Sequence, residues 1–457
     1  MKSIYRNGLA LLLIVFFAAG LSACGGDPQP VWKQATAQLL NVEMNNQGNI
    51  AASHFYEYWG GSDSFALYST AGQLLSQTTY PELTNAEVNA KTEDQNNSTI
   101  IAGIKANPDN TNNIYVKKYS ASGQLLQDFS ATGNTPSDQL RGMSMGVDNA
   151  GNIWLAYNKL EGTPVIISAH MLKITPNNTI EQDIYFPNRV IKILAVNAQG
   201  QVAIADTDQS TQKNIQLFSE NGDAIAGHPI TEFANGFSNF NAEGKALNNG
   251  DFMLLASLQS TAATQVNVLK LTTAGALAYS TPLNGLKKLP STPQLTLDET
   301  GNLITAAACA FDVCTDASTP YRAIVIAINS ANGLPLWTYI ANTPKSIFAV
   351  PISLSGQTPI PGQMSFANQY LRKLVAVNGQ IWLGLHSDTG INSTTSLPTS
   401  YPSEQNDIIS INPQTLTKVR QLSFTKTGLF DFTITPNNEI VISGTANNSP
   451  QYIALFK

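Results

Sequence analysis

The sequence predicts an all-β fold, an eight-bladed β-propeller of four-stranded antiparallel blades. Three observations predict it. A tight Gly or Asn turn recurs at Gly48, Asn97, Gly151, Gly200, Gly250, Gly301, Gly379 and Asn438, separated by 49, 54, 49, 50, 51, 78 and 59 residues. A fixed period of about fifty residues marks one supersecondary unit repeated. Each turn is followed by a short apolar run ending in small residues, such as Ile100-Ile101-Ala102-Gly103 or Val202-Ala203-Ile204-Ala205, which suits a strand buried on both faces. Beyond the N-terminus no long segment has a 3.6-residue apolar period.

The chain opens with a secretory pattern. Lys2 and Arg6 form a positive end, and Leu9 to Ala19 is an apolar run too short to span a bilayer. It ends in Leu21-Ser22-Ala23-Cys24-Gly25, which resembles the lipobox of bacterial lipoproteins. The resemblance implies a signal peptide over 1–23, lipidation (palmitate among the acyl chains) at Cys24, a linker over 24–30, and one propeller domain over 31–457. The alternative is an ordinary signal peptide with an incidental Cys. With Gly25 rather than Asp after the Cys, the enteric sorting rule implies the outer membrane, facing the periplasm or the cell surface. Several acyl chains hold a protein where one does not, at about 0.8 kcal/mol per buried methylene.

Removing Lys2 and Arg6 takes the basic count from 25 to 23 against 31 acidic groups, a net charge of −8. Charged residues are only 12 % of the chain, and no Lys/Arg cluster occurs. A phosphate-neutralising nucleic-acid binder needs a basic patch, so nucleic acid is not an expected partner.

Within each blade the apolar run is followed by a third strand, a second tight turn and a fourth strand. Blade 1 reads Phe65-Ala66-Leu67-Tyr68-Ser69-Thr70-Ala71-Gly72-Gln73-Leu74-Leu75, and blade 2 repeats it around Gly123. Later blades turn at Asn178, Gly222, Gly275, Gly333 and near Thr415. The last copy ends at Tyr452 to Lys457, a third strand with no fourth. The missing strand is available at Val31 to Thr36, so the N-terminal strand is expected to complete the last blade and leave no open sheet edge.

Val325 to Tyr339, with the turn Asn329-Ser330-Ala331-Asn332-Gly333 and Trp337, resembles the repeat of quinoprotein-type (PQQ-like) propellers. Copies built on Asp148-Asn149-Ala150-Gly151 and Asp298-Glu299-Thr300-Gly301 are similar to NHL or SBBP repeats. A lipid anchor joined to eight blades is also similar to the propeller lipoproteins of the outer-membrane barrel-assembly machinery. These resemblances imply fold and address, with no residue roles.

Turns after first and third strands share one face of a propeller, and connections after second and fourth strands share the other. The first set is uniformly tight. The insertions fall in the second set: 54–61, 106–113, 309–320, 342–368 and 388–405. Long loops on a rigid scaffold are where function concentrates. Aromatic residues at Tyr56, Tyr58 and Trp59, beside His54, suit an interface anchor, or fold back onto the blade. His386 and Asp388 lie at the same face and read as a binding pair or as a solvated loop with an Asx turn. Cys309 and Cys314 are expected to form a disulfide in an oxidising compartment, the alternative being two thiols. No metal set, phosphate loop or catalytic constellation stands out, and no cofactor is implied. Gly142-Met143-Ser144-Met145-Gly146 matches G-x-S-x-G but lies in a first strand, not a strand–turn–helix elbow.

The reading is a lipid-anchored envelope propeller, monomeric, that binds or scaffolds a protein partner through its loop-rich face. The competing readings are a propeller enzyme, quinone-dependent or acting on a polysaccharide or peptide, and a surface adhesin.

Overall fold

The computed structural model describes residues 28–36, 41–45, 47–54, 64–80, 83, 86–107, 111–132, 139–161, 166–208, 213–229, 239–259, 264–283, 294–309, 322–341, 367–389, 404–424, 427–446 and 451–457. Among them, 32 strands form eight four-stranded antiparallel sheets. Blade 1 pairs Asn41–Met44, Ile50–His54, Ser64–Tyr68 and Leu74–Thr79 in sequence order. Blades 2 to 7 repeat that order over 86–132, 139–187, 189–229, 239–282, 294–340 and 367–424. Blade 8 takes Thr427–Ile434, Ile440–Ala446 and Gln451–Phe456 from one end of the chain and Trp32–Thr36 from the other. Trp32 stands opposite Leu455 and Thr36 opposite Gln451, so the expected closure is made.

The sequence pattern explains each strand's depth. Second and third strands carry the continuous apolar runs and are buried: Thr99–Ala106 is buried over its first six residues. Fourth strands alternate polar residues and face solvent, as in Leu74–Thr79. The core is divided between blades rather than held in one centre. Ile100, Val116, Leu155 and Leu172 pack between blades 2 and 3. Val42, Ile50, Val441 and Leu455 pack with Trp32 between blades 8 and 1. Burying one such side chain fully is worth about 1.5–3 kcal/mol, so a closed ring gains at every junction.

Both sets of turns sit where the spacing places them, with left-handed backbone. φ is +84° at Gly151 and +86° at Gly200 in the first set, and +82° at Gly72 and +84° at Gly123 in the second. Asn97, Asn178 and Asn438 fill the same role. In blade 7 the residue is Leu416, at +54°, one position beyond the expected Thr415.

These turns share one face, and amide groups stitch them together. Asn97 Nδ2 donates to Met44 O (3.3 Å), Gln95 Nε2 to Asn149 O (3.2 Å), Asn197 Nδ2 to Gly250 O (2.8 Å) and Asn378 Nδ2 to Thr435 O (3.4 Å). The blade 6 and 7 turns are joined by Gly379 N donating to Glu299 Oε1 (2.8 Å).

A second repeated device works at the outer edge. One side chain of a blade donates to the outer turn of the next. Trp32 Nε1 reaches Thr70 O (2.9 Å), Tyr80 Oη reaches Gly123 O (2.9 Å) and Gln127 Nε2 reaches Thr175 O (2.9 Å). Lys173 Nζ reaches Glu220 O (2.8 Å), His228 Nε2 meets Gly275 O (2.7 Å) and Tyr279 Oη reaches Ser330 O (3.1 Å). Burial and the Asp251 carboxylate push the Tyr279 hydroxyl up to about 12, so it stays a donor.

Candidate functional site

Two regions remain once the tight-turn face is accounted for: the opposite, loop face and the axis of the ring. First strands of successive blades from 2 to 8 lie side by side around the axis, and that of blade 8 lies against that of blade 1. Several first strands are bulged, at Val88/Ala90, Arg141/Ser144, Leu371/Lys373 and Leu429/Asp431. A bulge re-aims the side chain that follows it.

In blades 7 and 8 the re-aimed residues are Lys373 and Asp431, which pair at 3.0 Å. Asp431 also accepts from Val42 N (2.9 Å) and Phe432 N (2.8 Å), while Lys373 Nζ donates to Val42 O (3.2 Å). One ion pair thus ties blades 7, 8 and 1 at the closure. Burial pushes the Asp431 pKa up, and Lys373 and the two N–H donors work against it. Elsewhere around the axis, Lys192 pairs with Glu243 (2.5 Å) and Lys91 with Glu43 (3.5 Å). Lys245 follows Glu243 by two residues on the same strand. It is exposed, and partial desolvation lowers its pKa against the pull of Glu243. At the loop-face end of blade 4, Asp206 is fully buried against Arg189 and accepts from Gln216 Nε2 (2.5 Å).

Ser144 of the G-x-S-x-G match sits in a first strand, and its Oγ accepts from Ile193 N (2.8 Å) of blade 4. It joins blades, as the strand context predicts. The small residues around it have a packing reason: a Cβ at Gly146 would meet Val196 at 2.4 Å.

His54 ends the second strand of blade 1, half-buried and opposite Ser64. Tyr56, Tyr58 and Trp59 lie outside the described residues, as do Cys24 and Cys314. Cys309 ends the second strand of blade 6, its backbone paired with Arg322; its side chain is outside the description. His386 departs from the solvated-loop alternative. It lies within the strand Gln380–Thr389, is buried, and places Nδ1 2.8 Å from Asn406 Oδ1. Asp388 continues that strand, its backbone opposite Asn368 and Glu404, with its side chain outside the description. His54 and His386 therefore share a face but stand on blades 1 and 7, with blade 8 between them.

The expected insertion at 106–113 is short. Strands run to Ala106 and from Asn112, and Asn107 N bonds Thr111 O at 2.8 Å across a tight connection. The long connections are 55–63, 230–238, 284–293, 310–321, 342–366 and 390–403. Their flanking strands end at the loop face, and the three longest, 310–321, 342–366 and 390–403, belong to blades 6 and 7. In contrast, one residue, Asn188, links blades 3 and 4.

Sequence reading missed the Lys373–Asp431 pair. Its signal is a single acid inside the otherwise apolar stretch Leu429-Phe430-Asp431-Phe432. It also missed His170, stacked on Tyr157 (centroids 5.2 Å, 7°) and bonded to Asp183 (2.8 Å). The three side chains come from different strands, and only register unites them. Among the described residues no group of three or more His, Cys, Asp or Glu could hold a metal ion.

No protein-family model matches the chain, and no curated protein matches it by sequence. Among solved structures it is similar to a europium-containing methanol dehydrogenase, at 9 % identity over 93 % of this chain and 85 % of that chain, TM-score 0.48. The Dos1 propeller shares 10 % identity over 94 % of each chain, TM-score 0.47. The quinohemoprotein alcohol dehydrogenase ADHIIG from Pseudomonas putida HK5 shares 8 % identity over 94 % of this chain and 76 % of that chain, TM-score 0.46. None of these likenesses bears on activity.

Proposed function

We propose that this chain is a lipid-anchored propeller of the bacterial envelope that binds a protein partner through its loop face. The observation that carries the reading is where the connections lengthen. The tight-turn face spends its polar groups on its own neighbours. The long connections all leave strands at the other face, and the longest belong to blades 6 and 7. A rigid ring with variable loops on one side is the usual arrangement of a recognition scaffold. Cys24 supplies the anchor, and the outer membrane is the address the lipobox resemblance supports.

A second reading, a small-molecule, glycan or enzymatic role on the axis, is favoured by the charged first-strand groups Lys192, Glu243 and Lys245.

Photo-crosslinking residues at positions 58, 350 and 395 in living cells test the proposal, with Asn221 and Ala274 on tight turns as controls. A discrete protein adduct from the loop positions alone is expected. Absence of any adduct from them would shift the function to the axis.

A further inference from the structure

The outermost strands carry a feature that neither closure nor core packing uses. In blades 1 to 7 the pairing of third and fourth strands slips by one residue just after the outer turn. In blade 1, Leu67 faces Ser76 and Tyr68 faces Leu74, leaving Leu75 out of register. The corresponding residues are Leu126, Ile225, Leu336 and Val419 in blades 2, 4, 6 and 7, and Glu181 and Ala278 in blades 3 and 5. Bulges are built features that re-aim side chains, and these aim apolar ones at solvent. Leu126 and Val419 are each 53 % exposed. Of 15 exposed large apolar residues among the described ones, 11 lie at this edge of the ring, beside the tight-turn face.

The edge is not uniform around the ring. Blades 6, 7, 1 and 2 present Leu336, Val419, Leu75 and Leu126. The opposite arc mixes Ile180 and Ile225 with Glu181 and Ala278, and adds the acidic Glu220 and Asp223 in the blade 4 turn. The chain enters in the middle of the apolar arc. Val31, 53 % exposed, donates its N–H to Leu455 O (2.7 Å) at the same edge of blade 8. Cys24 to Pro30 spans at most about 25 Å when fully extended. The outer turns on this arc, Thr70-Ala71-Gly72 and Ala121-Ser122-Gly123, carry no charge.

We infer that the outer edge of blades 6, 7, 8, 1 and 2 rests in the headgroup–acyl boundary of the bilayer that holds the lipidated N-terminus. The inference rests on the lipid-anchor reading and adds an orientation to it. Bulged Leu and Val side chains enter the boundary, as apolar faces of interfacial elements do. The uncharged turns meet headgroups. The acidic arc and the loop face point away from lipid, leaving the loops free for a partner.

The test uses the full chain, processed in cells and reconstituted into vesicles of phosphatidylethanolamine and phosphatidylglycerol. A diazirine-bearing apolar residue replaces position 75, 126, 419 or 225 in turn. All four are half-exposed, and each variant's thermal midpoint is checked against the parent. Lipid-mass adducts are expected at 75, 126 and 419, with their loss at 225. In a lipidated protein, absence of lipid adducts at the first three positions, adducts to protein or a second copy there instead, or equal lipid labelling at 225 would each overturn the inference. Failure of the anchor itself reads out separately: the N-terminal peptide would carry no lipid mass, and Cys24→Ser would not release the protein from membranes. That result would overturn both.

Discussion

The two faces of this ring are built from the same repeat and treat it differently. On the tight-turn face, every second connection is a short hairpin whose shape is fixed by a left-handed Gly or Asn, or by Leu416 in blade 7. On the loop face, connections run from the single residue Asn188 to the stretch 342–366. The tight face spends its polar groups on neighbouring blades, so its geometry is over-determined. The loop face inherits a fixed frame and is free to vary. The comparison teaches that the ring's frame and the loops it carries are separable, and each can be perturbed alone.

The largest effect should come from opening the ring. Removing residues 31–36 leaves Gln451–Phe456 as an unpaired, buried-type strand, and such edges recruit other chains. Size-exclusion chromatography should show association, and thermal unfolding should lose its single cooperative step. An unchanged monomer would mean that closure is dispensable.

Within the tight face, glycines should rank by what surrounds them. Gly123 has φ +84°, and a Cβ there would meet Phe65 at 2.3 Å. Gly123→Ala should cost about 2–4 kcal/mol by denaturant titration, from left-handed strain plus the clash. Gly301, at φ +79° with nothing within 4 Å, should cost only about 1–2 kcal/mol as Ala. Equal losses would show that neighbouring blades contribute nothing at these turns.

Asp94 tests the electrostatics of the same face. Its carboxylate is 2.8 Å from Lys118 Nζ and accepts from the backbone of Asn96 and Ser98. Burial opposes ionisation, yet Lys118 and those donors hold its pKa below the ordinary carboxylate range. Its contribution is therefore complete above the unfolded value of about 3.9 and is lost as pH falls through the lower folded value. Asp94→Asn should cost roughly 1–3 kcal/mol at neutral pH, and the gap should close in acid. A pH-independent difference would contradict this. The smallest effect is expected at Leu416, the one Leu in a left-handed turn. Leu416→Gly should raise the unfolding free energy by no more than about 1 kcal/mol.

The ring was legible because a propeller writes its period into local chemistry. Gly48, Gly151 and Gly200 are needed wherever the backbone turns left-handed, so counting them counts blades. Closure was legible because Tyr452 to Phe456 lacked a partner and Trp32 to Thr36 supplied one. The inter-blade latches were not. Trp32, Tyr80, Gln127, Lys173, His228 and Tyr279 do one job with five residue types, so no single type marks the position. His386 was misplaced toward a solvated loop because the strand continues to Thr389 through polar residues, where apolar alternation gives no sign of it. The slipped register that exposes Leu75 and Leu126 follows from pairing, which the order of residues alone does not reveal.

The central claim is that the frame is separable from the loop face proposed to bind a partner. It is tested most directly by replacing 342–366 and 390–403 with short Gly/Ser turns in the crosslinking strain. The account predicts a thermal midpoint close to the parent's, since loop length alters closure entropy only by about 0.6 kcal/mol per doubling, together with loss of the adduct formed at position 58. A ring that no longer folds without these segments, or one that keeps its adduct in full, would contradict it.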